Sequence, residues 1–225
     1  MSARVLTPEI LDSLEPGDSR AIRSRRDLER INVVMRQDTI MASALVARSV
    51  PELLADLGGG DGRFLLRVAR RLANRWPVVR VIIADRHDIV SRETRAGFAA
   101  LGWHCDVLTG DIFEILPQIR PDIITTNLFL HHLDDTALAQ LLARVATVGK
   151  AFVACEPCRG SFALLGASLV GALGANDVTR HDAVASVRAG FRDRDLSALW
   201  PKDRGWRLHE RAAFPFTHVF QAYAL

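Results

Sequence analysis

Two groups of residues in this 225-residue chain have types and spacings that can do chemistry. The first is a glycine turn set between acids: Asp56, Leu57, Gly58, Gly59, Gly60, Asp61 and Gly62, within LLADLGGGDGRFLLRVAR. The second is a set of histidines, His131 and His132 in NLFLHHLDD and His181 in NDVTRHDAVASVRAGFRDRD. Glycine reaches positive φ and lets a ligand approach the backbone closely. Acids at Asp56 and Asp61 favour positive charge nearby. Histidine changes protonation near neutral pH, which makes His131, His132 and His181 candidates for a general base.

The turn does not read as a phosphate cradle. Counted from Gly58, the third glycine of a G-x-G-x-x-G fingerprint is replaced by Arg63. No Gly-Lys-Ser/Thr follows, so a P-loop is excluded as well. A ligand with cationic groups and no phosphate fits better. S-adenosylmethionine is one, carrying a sulfonium, an ammonium, a ribose and a single carboxylate. Asp85, followed by Arg86 at the end of VIIADR, stands where an acid accepts hydrogen bonds from ribose hydroxyls. Asp111, with Ile112 beside it in LTGDIFEILP, either contacts the adenine amine or caps a short helix.

The elements that must position these groups follow from periodicity. Strands are expected at LLADLG, VRVIIADR, HCDVLTGD, DIITTNLF and KAFVACEP, several of them apolar on both faces as buried parallel strands are. Helices are expected between them at Gly62–Asn74, Ile89–Leu101 and Asp134–Ala146. This alternation implies an α/β, doubly wound, Rossmann-like sheet. Residues 1–50 read as an N-terminal helical flank. Its first helix is expected to be capped at Thr7, and a longer second one, capped at Asp18 or Ser19, runs from a break at Pro16-Gly17 to Val46. Residues 51–225 form the main domain, with a helical insertion over 157–204 ahead of a terminal hairpin around Pro215.

With these motifs in place, the chain resembles the class I S-adenosylmethionine-dependent methyltransferases. ADLGGGDGRF is similar to their first motif, IIADR to the second and TGDIFE to the third. PDIITTNLFLHHLDD resembles the fourth-strand motif of small-molecule members such as quinone-biosynthesis and O-methyltransferases. The resemblance spans about Leu53 to Pro157. It implies a seven-stranded, mostly parallel sheet with an antiparallel last strand, and S-adenosylmethionine lying over Gly58–Gly62. It further implies Asp85 and Arg86 at the ribose, Asp111 and Ile112 near the adenine, and Asn127 and Leu128 lining the methyl-donor pocket.

Methyl transfer is an in-line displacement from an already activated sulfonium, so the protein chiefly aligns the reactants and removes a proton where needed. His131 and His132 follow the fourth strand and serve as base or as structural groups. In the insertion, Asp177, Arg180, His181, Val184 and Arg188 recur at helical spacing. That face either clamps an acidic or phenolic acceptor, with His181 as base, or is a solvated flank. Met35, with Asn32 and Arg36, either covers the cofactor or packs in the core. The apolar FALLGASLVGALGA walls the pocket or packs against a second copy, making a homodimer possible.

Composition narrows the remaining classes. The net charge of +3 comes from scattered arginines among acids, with 7% aromatics, which is no stacking and phosphate-tracking stripe for nucleic acid. The longest apolar run is shorter than the roughly 20 residues that span a bilayer. Cys105, Cys155 and Cys158 make no disulfide framework and fit a reduced, cytoplasmic setting. The C-x-x-C at Cys155 and Cys158 lacks a second ligand pair, so no metal is expected. The expected function is methylation, most readily on oxygen, of a phenolic or acidic, polyketide- or quinone-like small molecule. The alternatives are a non-catalytic S-adenosylmethionine-binding regulatory protein and, disfavoured by the failed fingerprint, a nicotinamide oxidoreductase.

Overall fold

The computed structural model describes residues 3–15, 17–202 and 205–225. Three helices precede the sheet: α1 (Ile10–Ser13), α2 (Ser19–Val34) and α3 (Gln37–Leu45). Strands and helices then alternate as β1 (Leu53–Leu57), α4 (Arg63–Leu72), β2 (Val79–Asp85), α5 (Arg92–Ala99), β3 (Trp103–Thr109), α6 (Ile112–Ile115), β4 (Ile123–Asn127), α7 (Asp135–Val148) and β5 (Ala151–Pro157). Helices α8 (Ser161–Leu169), α9 (Asp177–Ala189) and α10 (Asp195–Leu199) follow, and the hairpin β6 (Trp206–Ala213) and β7 (Thr217–Ala224) closes the chain.

The sheet order is β3-β2-β1-β4-β5-β7-β6. Strands β1 to β5 pair in parallel, and β7 runs antiparallel to both β5 and β6. The last strand therefore runs against all the others, as expected. The chain reverses direction across the sheet between β1 and β4, where open α/β sheets leave a crevice at the strands' C-terminal ends.

Each buried strand feeds both faces because side chains alternate. In β5, Val153 and Cys155 join a core with Met41, Leu45, Leu65 and Phe98. Phe152 and Ala154 turn the other way, into a core with Leu138, Leu142, Trp200 and Phe220. No helix among the described residues is long and apolar enough to cross a membrane.

Two expectations for the flank are corrected. Thr7 does not cap the first helix: α1 begins at Ile10, and its free N–H groups at Ile10 and Leu11 are taken by the Asp182 carboxylate of α9 at 2.8 and 3.0 Å. The second helix, capped by Asp18 as expected, does not run to Val46. It stops at Val34, and Arg36 turns into the left-handed region at φ 53° before α3 starts. Of the expected break at Pro16-Gly17, Pro16 lies outside the described residues, as does Arg204 at the end of the expected insertion.

Buried polar contacts tie the flank to α9. The Asp27 carboxylate accepts from the Asn176 N–H at 2.9 Å, and the Thr179 hydroxyl donates to Ser24 Oγ at 3.0 Å. Arg4, its side chain nearly closed off, donates to the Ala189 and Leu133 carbonyls and pairs with Asp135 at 2.7 Å.

Candidate active site

Between β1 and α4 the backbone turns on three left-handed glycines, Gly58, Gly60 and Gly62, with φ of 65°, 55° and 72°. The Gly58 N–H donates to Ala84 O at 2.8 Å, the Gly60 N–H to Asp85 Oδ2 at 2.9 Å, and the Gly62 N–H to Gly59 O at 3.0 Å. A Cβ would overlap the Phe129 ring if placed on Gly58, and would meet Asp56 Oδ2 at 2.8 Å on Gly59 and Ile83 at 2.6 Å on Gly62. On Gly60 it would meet nothing within 4 Å. Three of the glycines are thus fixed by protein packing, whereas Gly60 opens onto free space.

The two acids behave differently. Asp56 is 2 % exposed, and its Oδ1 accepts from the Thr125 hydroxyl at 2.7 Å. Burial pushes its carboxyl up to about 7, opposed by the Thr125 bond and helped by the Asp85 charge. It lies under the turn rather than on it. Asp61 accepts from the Arg63 N–H at 3.1 Å, and burial raises its carboxyl against the pull of Arg63.

Asp85 ends β2, and its second oxygen accepts from the His87 N–H at 3.2 Å, while Arg86 is exposed. Asp111 caps α6 through the Phe113 N–H at 2.8 Å, which realises the capping alternative and leaves its other oxygen at the exposed rim. Ile112 is buried in the core. At the end of β4, Asn127 Oδ1 is buried without a hydrogen-bond partner, and Leu128 takes a left-handed φ of 54° while its N–H donates to Cys155 O. Asp85, Asp111 and Asn127 therefore gather with the glycine turn at one edge of the sheet. An open space above Gly60 and an unpaired acceptor at Asn127 fit a ligand with hydrogen-bond donors.

His131 lies just beyond, on a 3-10 turn over residues 130–132. It is 3 % exposed and held by Glu156 of β5, whose Oε2 is 2.8 Å from Nδ1. The other oxygen of Glu156 accepts the N–H groups of Phe129 and Leu130 at 3.0 and 2.9 Å. Glu9 Oε1 stands 3.3 Å from His131 Nε2, which has no directed hydrogen-bond partner. Burial works to lower the imidazole, but Glu156 and Glu9 outweigh it and push it up to about 9. In return the two histidines outweigh burial at Glu9 and hold its carboxyl below the ordinary range. The ring of His132 is centred 4.2 Å from that of His131, and its Nδ1 is 3.1 Å from Asp12.

The third histidine is not brought there. On α9, Asp177, Arg180, His181 and Arg188 are exposed; Asp177 pairs with Arg20 at 2.7 Å, and His181 Nδ1 meets Asp182 at 2.9 Å. The side of α9 that reaches the His131 cluster carries Ser186, whose hydroxyl donates to Glu9. At about 100° per residue, Asp177, Arg180, His181 and Arg188 each stand more than a quarter-turn from Ser186. In the flank, Met35 and Asn32 are buried, whereas Arg36 is exposed. Glu9, Asp12, Glu156 and Ser186 were not singled out from the sequence. Glu156 alone carries a local signal, a charge inside a strand buried along its whole length.

Residues 19–155 match the family model of the O-methyltransferase domain. Uncharacterized methyltransferases of Mycobacterium tuberculosis and Mycobacterium bovis are 33% identical over 100 residues, 43% of this chain and 47% of theirs. The chain thus spans about half the length of these relatives. Among solved structures, the plantazolicin methyltransferase BamL, in complex with S-adenosylhomocysteine and a triazolic desmethylPZN analogue, aligns with a TM-score of 0.64 at 14% identity, over 93% of this chain and 92% of its own. Mitomycin 7-O-methyltransferase aligns at 0.61 and 22% identity, over 95% of this chain and 60% of its own. The N,N-8-amino-8-demethyl-D-riboflavin dimethyltransferase of Streptomyces davawensis aligns at 0.61 and 19%, over 97% and 62%. These likenesses are of fold.

Proposed function

The chain belongs to the O-methyltransferase domain family, and from that premise we propose that it transfers a methyl group from S-adenosylmethionine to an oxygen of a small organic acceptor. The observation that carries this reading is the glycine turn, where Gly60 faces open space while Asp85 grips its N–H and Asn127 offers a buried, unpaired oxygen at the same edge of the sheet. When bound, S-adenosylmethionine supplies a methyl group on a sulfonium, already activated for displacement. Gly58 to Gly62 would lie along it, with Asp61 at the rim. Asp85 and Arg86 would hold the ribose, Asp111 and Ile112 the adenine, and Asn127 with Leu128 the methyl-donor end. Asp56 acts from below by shaping the turn through Thr125.

The acceptor we propose is phenolic or acidic, of polyketide or quinone type. Such oxygens ionise readily, so alignment contributes more than proton removal. His132, partly exposed with Asp12 at its Nδ1, would take the acceptor proton on this reading. His131, closed off between Glu156 and Glu9, positions the turn that carries it.

Calorimetric titration with S-adenosylhomocysteine and with NAD tests the reading. Micromolar binding of the former is expected, abolished by Asp85→Ala or Gly60→Val. Equal or tighter binding of NAD overturns it.

A further inference from the structure

We propose that the outward face of α2 docks on an anionic lipid surface, so that the chain lies on a bilayer by this helix without crossing it. The helix is inverted relative to an ordinary surface helix. Its buried positions are Ala21, Ser24, Asp27 and Asn32, with Ser24 only 1 % exposed. Val33 and Val34, by contrast, are 58 and 59 % exposed, and Ile22 is exposed as well. A helix that had only to cover α9 would bury its branched aliphatics and leave its polar groups to water. Here Asp27 is held inward by the Asn176 N–H and Ser24 by the Thr179 hydroxyl, so the aliphatic side chains face out.

Arginines share that face. At about 100° per residue, Ile22, Arg23, Arg26, Arg30, Val33 and Val34 fall within roughly 120° of arc, and all six are exposed. Among the described residues neither Arg23 nor Arg26 enters an ion pair. Arg30 reaches Asp27 at 3.6 Å, and the other oxygen of that carboxylate serves Asn176. The charge continues beyond the helix, because Glu29 joins α2 to Arg63 of α4 at 2.8 Å. Residues 19–75 hold twelve arginines against six acids, and of those acids Asp27, Asp38 and Asp56 are buried. This stretch is therefore +6 in a chain of +3, which leaves −3 for the rest. Such an asymmetry points to a polyanionic partner.

Lipid is the occupant that uses both features. An anionic leaflet attracts clustered arginines, and its acyl boundary takes up the aliphatic groups between them while the guanidinium heads stay among the headgroups. Nucleic acid would leave Ile22, Val33 and Val34 unused and would call for stacking rings, and α2 has no aromatic residue. A second copy related by a twofold axis would set Arg23, Arg26 and Arg30 against their own counterparts, and opposed like charges are costly at an interface. Three aliphatic side chains reach only the boundary, so the contact is peripheral and weakens with salt.

The full chain is mixed with vesicles of phosphatidylcholine and phosphatidylglycerol, and separately with vesicles of phosphatidylcholine alone, and the bound fraction is read by sedimentation. Binding to the mixed vesicles alone, falling as salt rises, is expected. Arg23→Gln, Arg26→Gln and Arg30→Gln combined should weaken it about a hundredfold, at about fivefold per charge. Val33→Ser and Val34→Ser combined should weaken it by more than about fivefold, since the aliphatic groups enter the boundary. Lys202→Gln, which removes an exposed cation beyond α10 on the other face of the sheet, should leave it unchanged. All these positions are exposed, and melting curves check that each variant is folded. The proposal is overturned by no binding to the mixed vesicles, by equal binding to both kinds, by undiminished binding in the arginine or the valine variant, or by a loss in Lys202→Gln. Tighter binding to a DNA duplex than to the mixed vesicles overturns it too, as does a dimer in solution that the arginine variant dissociates. Vesicle binding is read without S-adenosylhomocysteine, so this result and the methyl-donor reading stand or fall separately.

Discussion

The carboxylate of Asp182, on α9, caps the backbone N–H of Ile10, 172 residues earlier in the chain, at 2.8 Å, and takes the N–H of Leu11 with its second oxygen. This contact sets the direction of α1, and α1 follows directly on Glu9 and carries Asp12, the two acids that face His131 and His132. Removing it frees two N–H groups in a part-buried setting. Asp182→Ala should cost about 1–3 kcal/mol, the range of a lost cap with charge-assisted bonds. Denaturant unfolding measures it, and a loss below about 0.5 kcal/mol, the scale of ordinary surface changes, would mean that α1 is held by other contacts.

The glycines of the turn separate fold from ligand. Gly62→Ala must strain a φ of 72° and move Ile83, whose Cδ1 is 2.6 Å from the new Cβ. Left-handed strain alone costs about 1–2 kcal/mol, and the clash adds to it. Gly60→Ala meets no neighbour, so it should lose only the strain, about 1–2 kcal/mol. Its methyl group projects into the open space, however, and binding of S-adenosylhomocysteine should fall by about tenfold or more, roughly 1.4 kcal/mol. Melting and calorimetry on both variants check this. Equal destabilisation with intact ligand binding in Gly60→Ala would contradict the assignment of that space to the ligand.

Much of this site is legible in the sequence because its signals are local. Asp56, Gly58 to Gly62, Asp85 and Asn127 sit at strand ends that periodicity alone locates, and parallel pairing then brings those ends to one edge. The break after Val34 is not legible, since the left-handed turn there is made by Arg36 and no glycine or proline marks it. Glu9 and Ser186 are invisible for another reason. Their meeting with His131 joins segments more than 50 residues apart, through a helix α1 too short to carry a periodic signal. The exposed face of α9 stays open in the sequence because Arg180, His181 and Arg188 share a helical spacing whether they line a pocket or meet water.

Asp56 makes stability depend on pH. Its carboxyl is raised from 3.8 to about 7 in the folded chain, so the native state keeps a proton that the unfolded chain releases. Below about pH 4 both states are protonated and nothing is lost. Through the window from about 4 to 7 the unfolded state binds fewer protons, and stability declines as pH rises, by up to about 1.4 kcal/mol per unit. Above about 7 both are ionised and the decline ends. Asp56→Asn keeps an acceptor for the Thr125 hydroxyl and removes the titration. Urea midpoints across this window should slope for the native chain and flatten in the variant, which becomes the more stable of the two at neutral pH. Parallel slopes would place the titration elsewhere.

Glu156 offers the sharpest separation between a bond lost and groups abandoned. Its oxygens serve the Phe129 and Leu130 N–H groups and His131 Nδ1, and the residue is fully buried. Glu156→Gln retains a carbonyl oxygen for the two N–H groups and turns an amide toward the histidine, which must then accept rather than donate. A loss of about 1.5–3 kcal/mol is expected, that of one hydrogen bond to a charged group. Glu156→Leu strands two backbone donors, one part-buried and one buried, and removes the partner of a buried imidazole, so it should cost about 3–5 kcal/mol. The strained φ of Leu128 sits on the same turn, so the leucine variant should also release it, with new amide-exchange openings confined to residues 128–131. If the two variants unfold at the same denaturant concentration, the turn owes its shape to the packing of Phe129 and Leu130 and not to this carboxylate.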